Sequence, residues 1–180
     1  GVQTCALPIC SVEAASFSPD QLRMLADFVS KRGGGLLMLG GRRSFAEGGW
    51  AGTPVGEVLP IDFTEGPRGK SEEFFAPLAV RPTRAGLGFP VTQLADTETA
   101  SAERWNTMPA VSTVNAVTRV KPGATVLLTG TTETKQEQIV LAYQRYGRGK
   151  ALAFPIQDSW IWKMDASIAV EDTTHATFWR

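Results

Sequence analysis

The sequence predicts an α/β fold on a mostly parallel central sheet, with a β-hairpin in its C-terminal half. Three observations carry this expectation. A capped amphipathic helix signature over residues 18–32 leads directly into the apolar run Gly35-Leu36-Leu37-Met38-Leu39. That run shows no polar alternation, the pattern of a parallel strand covered on both faces. Two further strand-like runs, 138–146 and 150–154, flank Gly147-Arg148-Gly149, which is a short glycine-containing hairpin loop.

Each element has a local reason. Ser18 can cap a helix, Pro19 suits its first position, and Gln21 completes a capping box. Leu22, Leu25, Phe28 and Val29 then recur on one face, and Gly33 can end the helix in a left-handed conformation. The helix is expected over 19–32. Full burial of Leu36, Leu37, Met38 and Leu39 in the strand that follows is worth ~1.5–3 kcal/mol each. Helix then buried strand is half of a βαβ unit, so a first strand is expected just upstream of Ser11. A glycine- and arginine-containing loop covers 40–50. Thr53-Pro54 opens a short helix that runs to Leu59 and is stopped by Pro60. Residues 66–70 read as a loop, 74–80 as a strand, the stretch to Leu94 as irregular, and 98–104 as a short helix. Strands are expected over 115–120 and 124–129, around the turn Lys121-Pro122-Gly123.

The N-terminal residues stand apart. Gly1-Val2-Gln3-Thr4-Cys5-Ala6-Leu7-Pro8-Ile9 reads back as GGA GTT CAG ACG TGT GCT CTT CCG ATC, the end of a widely used short-read sequencing adapter. Residues 1–10 are therefore expected to be a translated artefact, with native sequence from about Ser11. At the other end, Asp172, Thr173 and Thr174 offer caps to a helix beginning at His175. The expectation is a single partial domain over 11–180, truncated at both ends.

Composition narrows the function classes. The 180 residues suit one domain, and an apolar fraction of 43% is enough for a core. Eighteen basic residues balance eighteen acidic ones, which argues against a general nucleic-acid binder. No stretch approaches the ~18 apolar residues of a membrane span, so a soluble fragment is expected. Both cysteines, Cys5 and Cys10, fall in the suspect segment. The rest of the chain then offers no disulfide, zinc cluster or thiol nucleophile, and no cofactor is implied.

The block Gly33-Gly34-Gly35-Leu36-Leu37-Met38-Leu39-Gly40-Gly41, with Arg42, Ser44, Phe45 and Gly48-Gly49-Trp50-Ala51-Gly52-Thr53-Pro54, resembles the putative glutamine amidotransferase domains, a class I glutamine amidotransferase-like group. Lys121-Pro122-Gly123-Ala124, Tyr146-Gly147-Arg148-Gly149-Lys150, and Trp160, Trp162, His175 and Phe178-Trp179-Arg180 extend the resemblance over nearly the whole chain. It implies a flavodoxin-like three-layer sandwich. It also implies a longer bacterial parent protein, often membrane-anchored and often carrying a von Willebrand factor A-like domain as a neighbour.

An active member would use a Cys nucleophile on a strand-to-helix elbow, a His base and an orienting carboxylate, with the His two residues before a Glu. Here the elbow after Leu39 reads Gly40-Gly41-Arg42-Arg43-Ser44 and holds no Cys. The lone histidine is His175, and Thr177 stands where the Glu would be. No catalytic residue is assigned, and the domain is expected to be inactive.

Ser44 lacks the flanking glycines of a serine elbow and reads as a loop hydroxyl. Arg42 and Arg43 leave the carboxyl end of a buried strand, where open α/β sheets place ligand clefts. They could hold a small anionic ligand bidentately, or one could pair with Glu47 or Glu57 while the other is solvated. Gly40 and Gly41 suit either close ligand approach or a tight turn. Trp160 and Trp162 share one face if 159–164 is extended, and would stack on a ligand or pack in the core. His175 reads as a structural ring near Asp172, and no metal site is expected.

The expected function is a non-catalytic ligand-sensing or protein-interaction module of an envelope-associated protein. The alternatives are an enzyme of unknown reaction type at the Arg42, Arg43 and Ser44 cleft, and a purely structural domain.

Overall fold

The computed structural model describes residues 6–63, 76–113, 115, 117–133 and 135–180. The expected loop over 66–70 and the start of the expected strand at 74–75 lie outside them. Seven strands form one sheet: β1 (Ala6–Cys10), β2 (Gly35–Leu39), β3 (Ala76–Pro82), β4 (Val111–Thr113), β5 (Thr125–Thr131), β6 (Glu137–Tyr146) and β7 (Gly149–Phe154). Six helices accompany them: α1 (Pro19–Ser30), α2 (Pro54–Val58), α3 (Arg84–Leu87), α4 (Glu98–Thr107), α5 (Ile161–Met164) and α6 (Thr174–Phe178).

The strand order is β1-β2-β7-β6-β5-β3-β4. The β1–β2 and β2–β7 pairs are parallel. The β7–β6, β6–β5, β5–β3 and β3–β4 pairs are antiparallel. The expected mostly parallel, flavodoxin-like three-layer sandwich is therefore wrong. The sheet is mixed and strongly curled into a half-barrel. The reason is connection length. A parallel crossover needs a dozen or more residues. Only 147–148 join β6 to β7, and only 132–136 join β5 to β6, so these strands must reverse. Register shifts between Val126 and Leu128 and between Leu128 and Thr129 mark bulges in the β5–β6 pair, which add twist and help it bend.

The local signals before the hairpin are met closely. Ser18 Oγ accepts from the Gln21 N–H at 3.3 Å, and Gln21 Oε1 accepts from the Ser18 N–H at 2.8 Å, the reciprocal pair of a capping box. Thr53 caps α2 by accepting from the Gly56 N–H at 2.9 Å. Gly33 adopts φ +80 after α1. The hairpin forms where the glycine loop predicts it, and its turn is tied to the end of α1 by Arg148 N–H donating to Ser30 O at 2.8 Å.

Two apolar clusters lie on opposite faces of the sheet. Leu36 and Met38 join Val29, Phe45, Trp50, Val58, Ala151 and Ala153 beneath α1 and α2. On the other face, Trp105, Val111, Leu128, Phe154, Trp162 and Phe178 make the second cluster. Leu37 and Leu39 are half-buried against this second cluster, so the expected full burial of all four side chains holds for Leu36 and Met38 alone.

Other expectations fail for tertiary reasons. Residues 115–120 do not form a strand. β4 ends at Thr113, Val120 makes an isolated bridge to Ile61, and Asn115 turns inward. The stretch before Leu94 holds α3 and a 3₁₀ turn, Pro90–Thr92. β1 fills the place of the strand expected upstream of Ser11.

Candidate functional site

The loop after β2 leaves the carboxyl end of a parallel strand, so the site is built from there. Gly40 is buried, and its N–H donates to Phe154 O at 2.8 Å. A Cβ on Gly40 would lie 2.4 Å from both the carbonyl carbon and the oxygen of Pro155. A Cβ on Gly41 would lie 2.9 Å from Ser11 Cβ. These glycines let chain pass chain, and no space for a ligand separates them.

Asn115 holds the loop from behind. Its Oδ1 accepts from the Gly41 N–H at 2.9 Å, and its Nδ2 donates to Gly41 O at 3.1 Å and to Glu47 Oε2 at 2.9 Å. The residue is buried, so these bonds are shielded from water. Ser44 is 1% exposed, and its Oγ accepts from the Ser11 N–H at 2.9 Å. Ser44 N–H donates to Gly41 O, and Ser44 O accepts from Gly48 N–H. Phe45 follows with φ +54, a left-handed conformation unusual for a bulky side chain, and its ring is buried in the cluster under α1. Ser11 has φ +47 and is exposed beside Gly41.

The arginines point outward. Arg42 and Arg43 are both exposed, and Arg43 Nε lies 3.4 Å from Glu13 Oε1. Glu47 pairs with Asn115, and neither Glu47 nor Glu57 makes the expected arginine pair among the described residues. Asp158 lies in the segment after β7. Its carboxylate accepts from the Ser112 N–H at 2.9 and 3.0 Å and from the Ser112 hydroxyl, tying that segment to edge strand β4.

Trp160 and Trp162 do not share a face. Residues 161–164 are helical, so Trp160 is 58% exposed while Trp162 is 1% exposed. Trp162 packs edge-on against Trp105 and Phe178, with ring centroids 5.4 and 5.3 Å apart, and its Nε1–H donates to Pro109 O at 3.2 Å. His175 is half-buried at the start of α6, 6.4 Å from the Trp179 ring. Burial, and secondarily the Lys163 charge, holds its pKa below the ordinary histidine value. Asp172 does not take the histidine. Its Oδ1 accepts from Thr174 N–H at 2.7 Å and its Oδ2 pairs with Arg104 at 2.9 Å. The Thr174 hydrogen bonds, then Arg104 and Lys163, hold its carboxyl below the usual range.

The structure thus brings Gly40, Gly41 and Ser44 into one sealed corner and leaves Arg42 and Arg43 on its rim. It places Trp162 in the second, aromatic cluster and His175 beside the Trp179 ring next to it, and leaves Trp160 in solvent. Asn115, Ser11 and Asp158 were not legible as site residues. A polar Asn between Val114 and Ala116 was a weak signal, since a buried Asn needs partners. No group of three or more metal-ligating side chains occurs among the described residues.

The glycine corner runs straight into the wider relationship of the chain. The family described as "Putative glutamine amidotransferase" matches residues 1–180. The chain belongs to that family. No curated protein matches it. Two solved structures share the fold of this glutamine amidotransferase-like domain. Cytoplasmic protein STM3548 from Salmonella typhimurium is 21% identical with a TM-score of 0.63, the alignment covering 97% of this chain and 68% of that one. Cytoplasmic protein STM1381 from Salmonella typhimurium LT2 is 22% identical with a TM-score of 0.61, at the same coverage. No helix among the described residues is long and apolar enough to cross a membrane.

Proposed function

We propose that this glutamine amidotransferase-like domain is catalytically inactive and serves as a ligand-sensing or protein-interaction module of a larger, envelope-associated protein. The observation that supports inactivity most directly is the state of the corner after β2. An acyl-transfer elbow needs a nucleophile on a strained turn, exposed to substrate, with nearby N–H groups available for an oxyanion. In this loop the strained position is Phe45, and its ring is buried. Ser44 is buried with its oxygen accepting from Ser11. The Gly40 and Gly41 N–H groups are already engaged by Phe154 O and Asn115 Oδ1. Opening this corner to a substrate means leaving buried backbone groups unpaired, at about 1–3 kcal/mol each.

The rim supports the binding side of the reading. Arg42 is an exposed guanidinium beside the corner, able to take a carboxylate or phosphate. A von Willebrand factor A-like neighbouring domain and membrane anchoring of the parent rest on the family resemblance alone.

The test is direct. Purified chain is incubated with glutamine, and ammonia release is followed. It is also treated with the glutamine analogue 6-diazo-5-oxo-norleucine, and adducts are mapped by mass spectrometry. No turnover above buffer and no stoichiometric adduct are expected. Turnover that is lost in Ser11→Ala, Ser44→Ala or Cys10→Ser, or a full adduct on one of those residues, refutes inactivity. Thermal shifts with carboxylates, phosphates and sugars test ligand sensing, and an Arg42→Ala variant should lose any shift seen with an anion.

A further inference from the structure

A second surface lies along α1 and does not depend on whether the corner after β2 is inactive. One flank of this helix is left bare. Phe17, Met24, Leu25 and Phe28 line a groove of about 630 Å³, with Met24 69% exposed. The ridge follows the helical spacing of α1 over its 12 residues, which is roughly 18 Å of length. A groove of that shape and length suits a second helix laid along the first, side chains of one filling the gaps of the other.

The groove carries Asp27 as well as two basic residues, and the basic ones are in excess at one end. Lys31 and Arg32 stand on its wall at the C-terminal end of α1. Arg148, in the β6–β7 turn, is packed at the same end, its Cβ 3.8 Å from where a Cβ on Gly33 would be. Lys31 pairs with Asp27 at 2.6 Å, while Arg32 and Arg148 have no acidic partner among the described residues. Arg145 and Lys150, opposite each other in the β6–β7 register, extend positive charge around the same end of the sheet. The chain as a whole is neutral, so this local excess is a feature of the place.

We propose that this groove is a docking site for an amphipathic helix of another polypeptide, running antiparallel to α1 with acidic residues in its first turn. The orientation follows from the charges. Acidic side chains are favoured in the first turn of a helix by its own dipole. Running antiparallel, that turn meets Lys31, Arg32 and Arg148. The apolar side chains of the partner then cover Met24, Leu25 and Phe28. A groove with its basic excess at one end favours a peptide over a flat lipid surface, which would want a broad basic face.

Fluorescence anisotropy with the full 180-residue chain tests this. The probe is a synthetic peptide of roughly 18 residues with Leu on one face and three Glu in the first turn. The control carries the same residues with Lys in the first turn and the Glu in the last. The acidic-start peptide is expected to bind at micromolar concentration, about tenfold tighter than the control. Met24→Glu should weaken it by about tenfold or more, and because Met24 is exposed the fold is expected to survive the change, which a thermal melt checks. Met24→Ser is a second variant without the added charge. Arg32→Glu with Arg148→Glu should reverse the preference between the two peptides. Equal binding of both peptides, or binding unchanged in both Met24 variants, overturns the proposal. Binding to phosphatidylglycerol-containing vesicles with no binding of either peptide also overturns it, in favour of a membrane surface.

Discussion

Replacing Asn115 with alanine should loosen the corner after β2 more than any exposed change nearby. The side chain makes hydrogen bonds of 2.9, 2.9, 3.1 and 3.4 Å, to the Gly41 N–H, Glu47 Oε2, Gly41 O and Ser44 O. Alanine removes them all and leaves the buried Gly41 N–H without its partner, while Gly41 O keeps the bond from the Ser44 N–H and Ser44 O the bond from the Gly48 N–H. The orphaned N–H costs about 1–3 kcal/mol, and the lost bonds to Gly41 O, Ser44 O and Glu47 add to it, so a total loss of about 2–4 kcal/mol is expected. In a domain of this size each kcal/mol moves the melting temperature by about 2–4 °C, so a fall of roughly 4–16 °C should follow. Urea unfolding and a thermal melt of both proteins measure it. Asn115→Asp sharpens the test, because it keeps the acceptor for Gly41 but puts a carboxylate beside Glu47. It should destabilise at neutral pH, with the difference from the parent shrinking as acid protonates the new carboxyl. A loss below about 0.5 kcal/mol for Asn115→Ala, the level of an ordinary surface change, would refute the reasoning that this side chain holds the corner.

Gly40→Ala should cost about 1–3 kcal/mol or more by chemical denaturation, because its Cβ would collide with the Pro155 backbone, which has no side-chain end to swing aside. Trp162→Ala should cost about 3–5 kcal/mol while Trp160→Ala stays within about 0.5 kcal/mol, and equal effects would contradict their burial. The lone histidine gives a clean pH signature. Its folded pKa is lowered, so the unfolded chain binds the proton more readily between that value and about 6.5. Its contribution is complete above about pH 6.5 and is lost as pH falls through this window, so His175→Asn should flatten the fall in melting temperature on moving from pH 7.5 to 5.5. Asp172, also lowered, titrates below this range and should not mask the effect.

The corner itself shows how far the sequence reached. Gly40 and Gly41 announced a place where side chains cannot fit, but glycine is silent on what comes close. A ligand and a passing strand make the same demand on the backbone, and only the position of Pro155 and Ser11 separates them. Arg42 and Arg43 follow the end of β2 as their place in the sequence requires, yet the ion-pair partner of Arg43 is Glu13, thirty positions upstream. Asn115 was read as part of a strand because its apolar neighbours suit one. Its side chain instead satisfies the backbone of a loop 74 positions away.

What the sequence determined by itself is local and strong. The capping box of α1, the Thr53 cap of α2, the left-handed Gly33 and the Gly147-Arg148-Gly149 hairpin are written within a few residues, because capping and turn geometry are short-range physics. The alternation-free Leu36–Leu39 run likewise marked a parallel strand between two apolar layers. Tertiary structure alone decided the rest: that among the described residues four of six strand pairs run antiparallel, that an aromatic cluster forms on one face of the sheet, and that Trp162 enters it while Trp160 does not. These depend on which distant strands pair and on bulges in the β5–β6 ladder. Such choices are set by the summed packing of residues far apart in the chain, and no single window of sequence carries them.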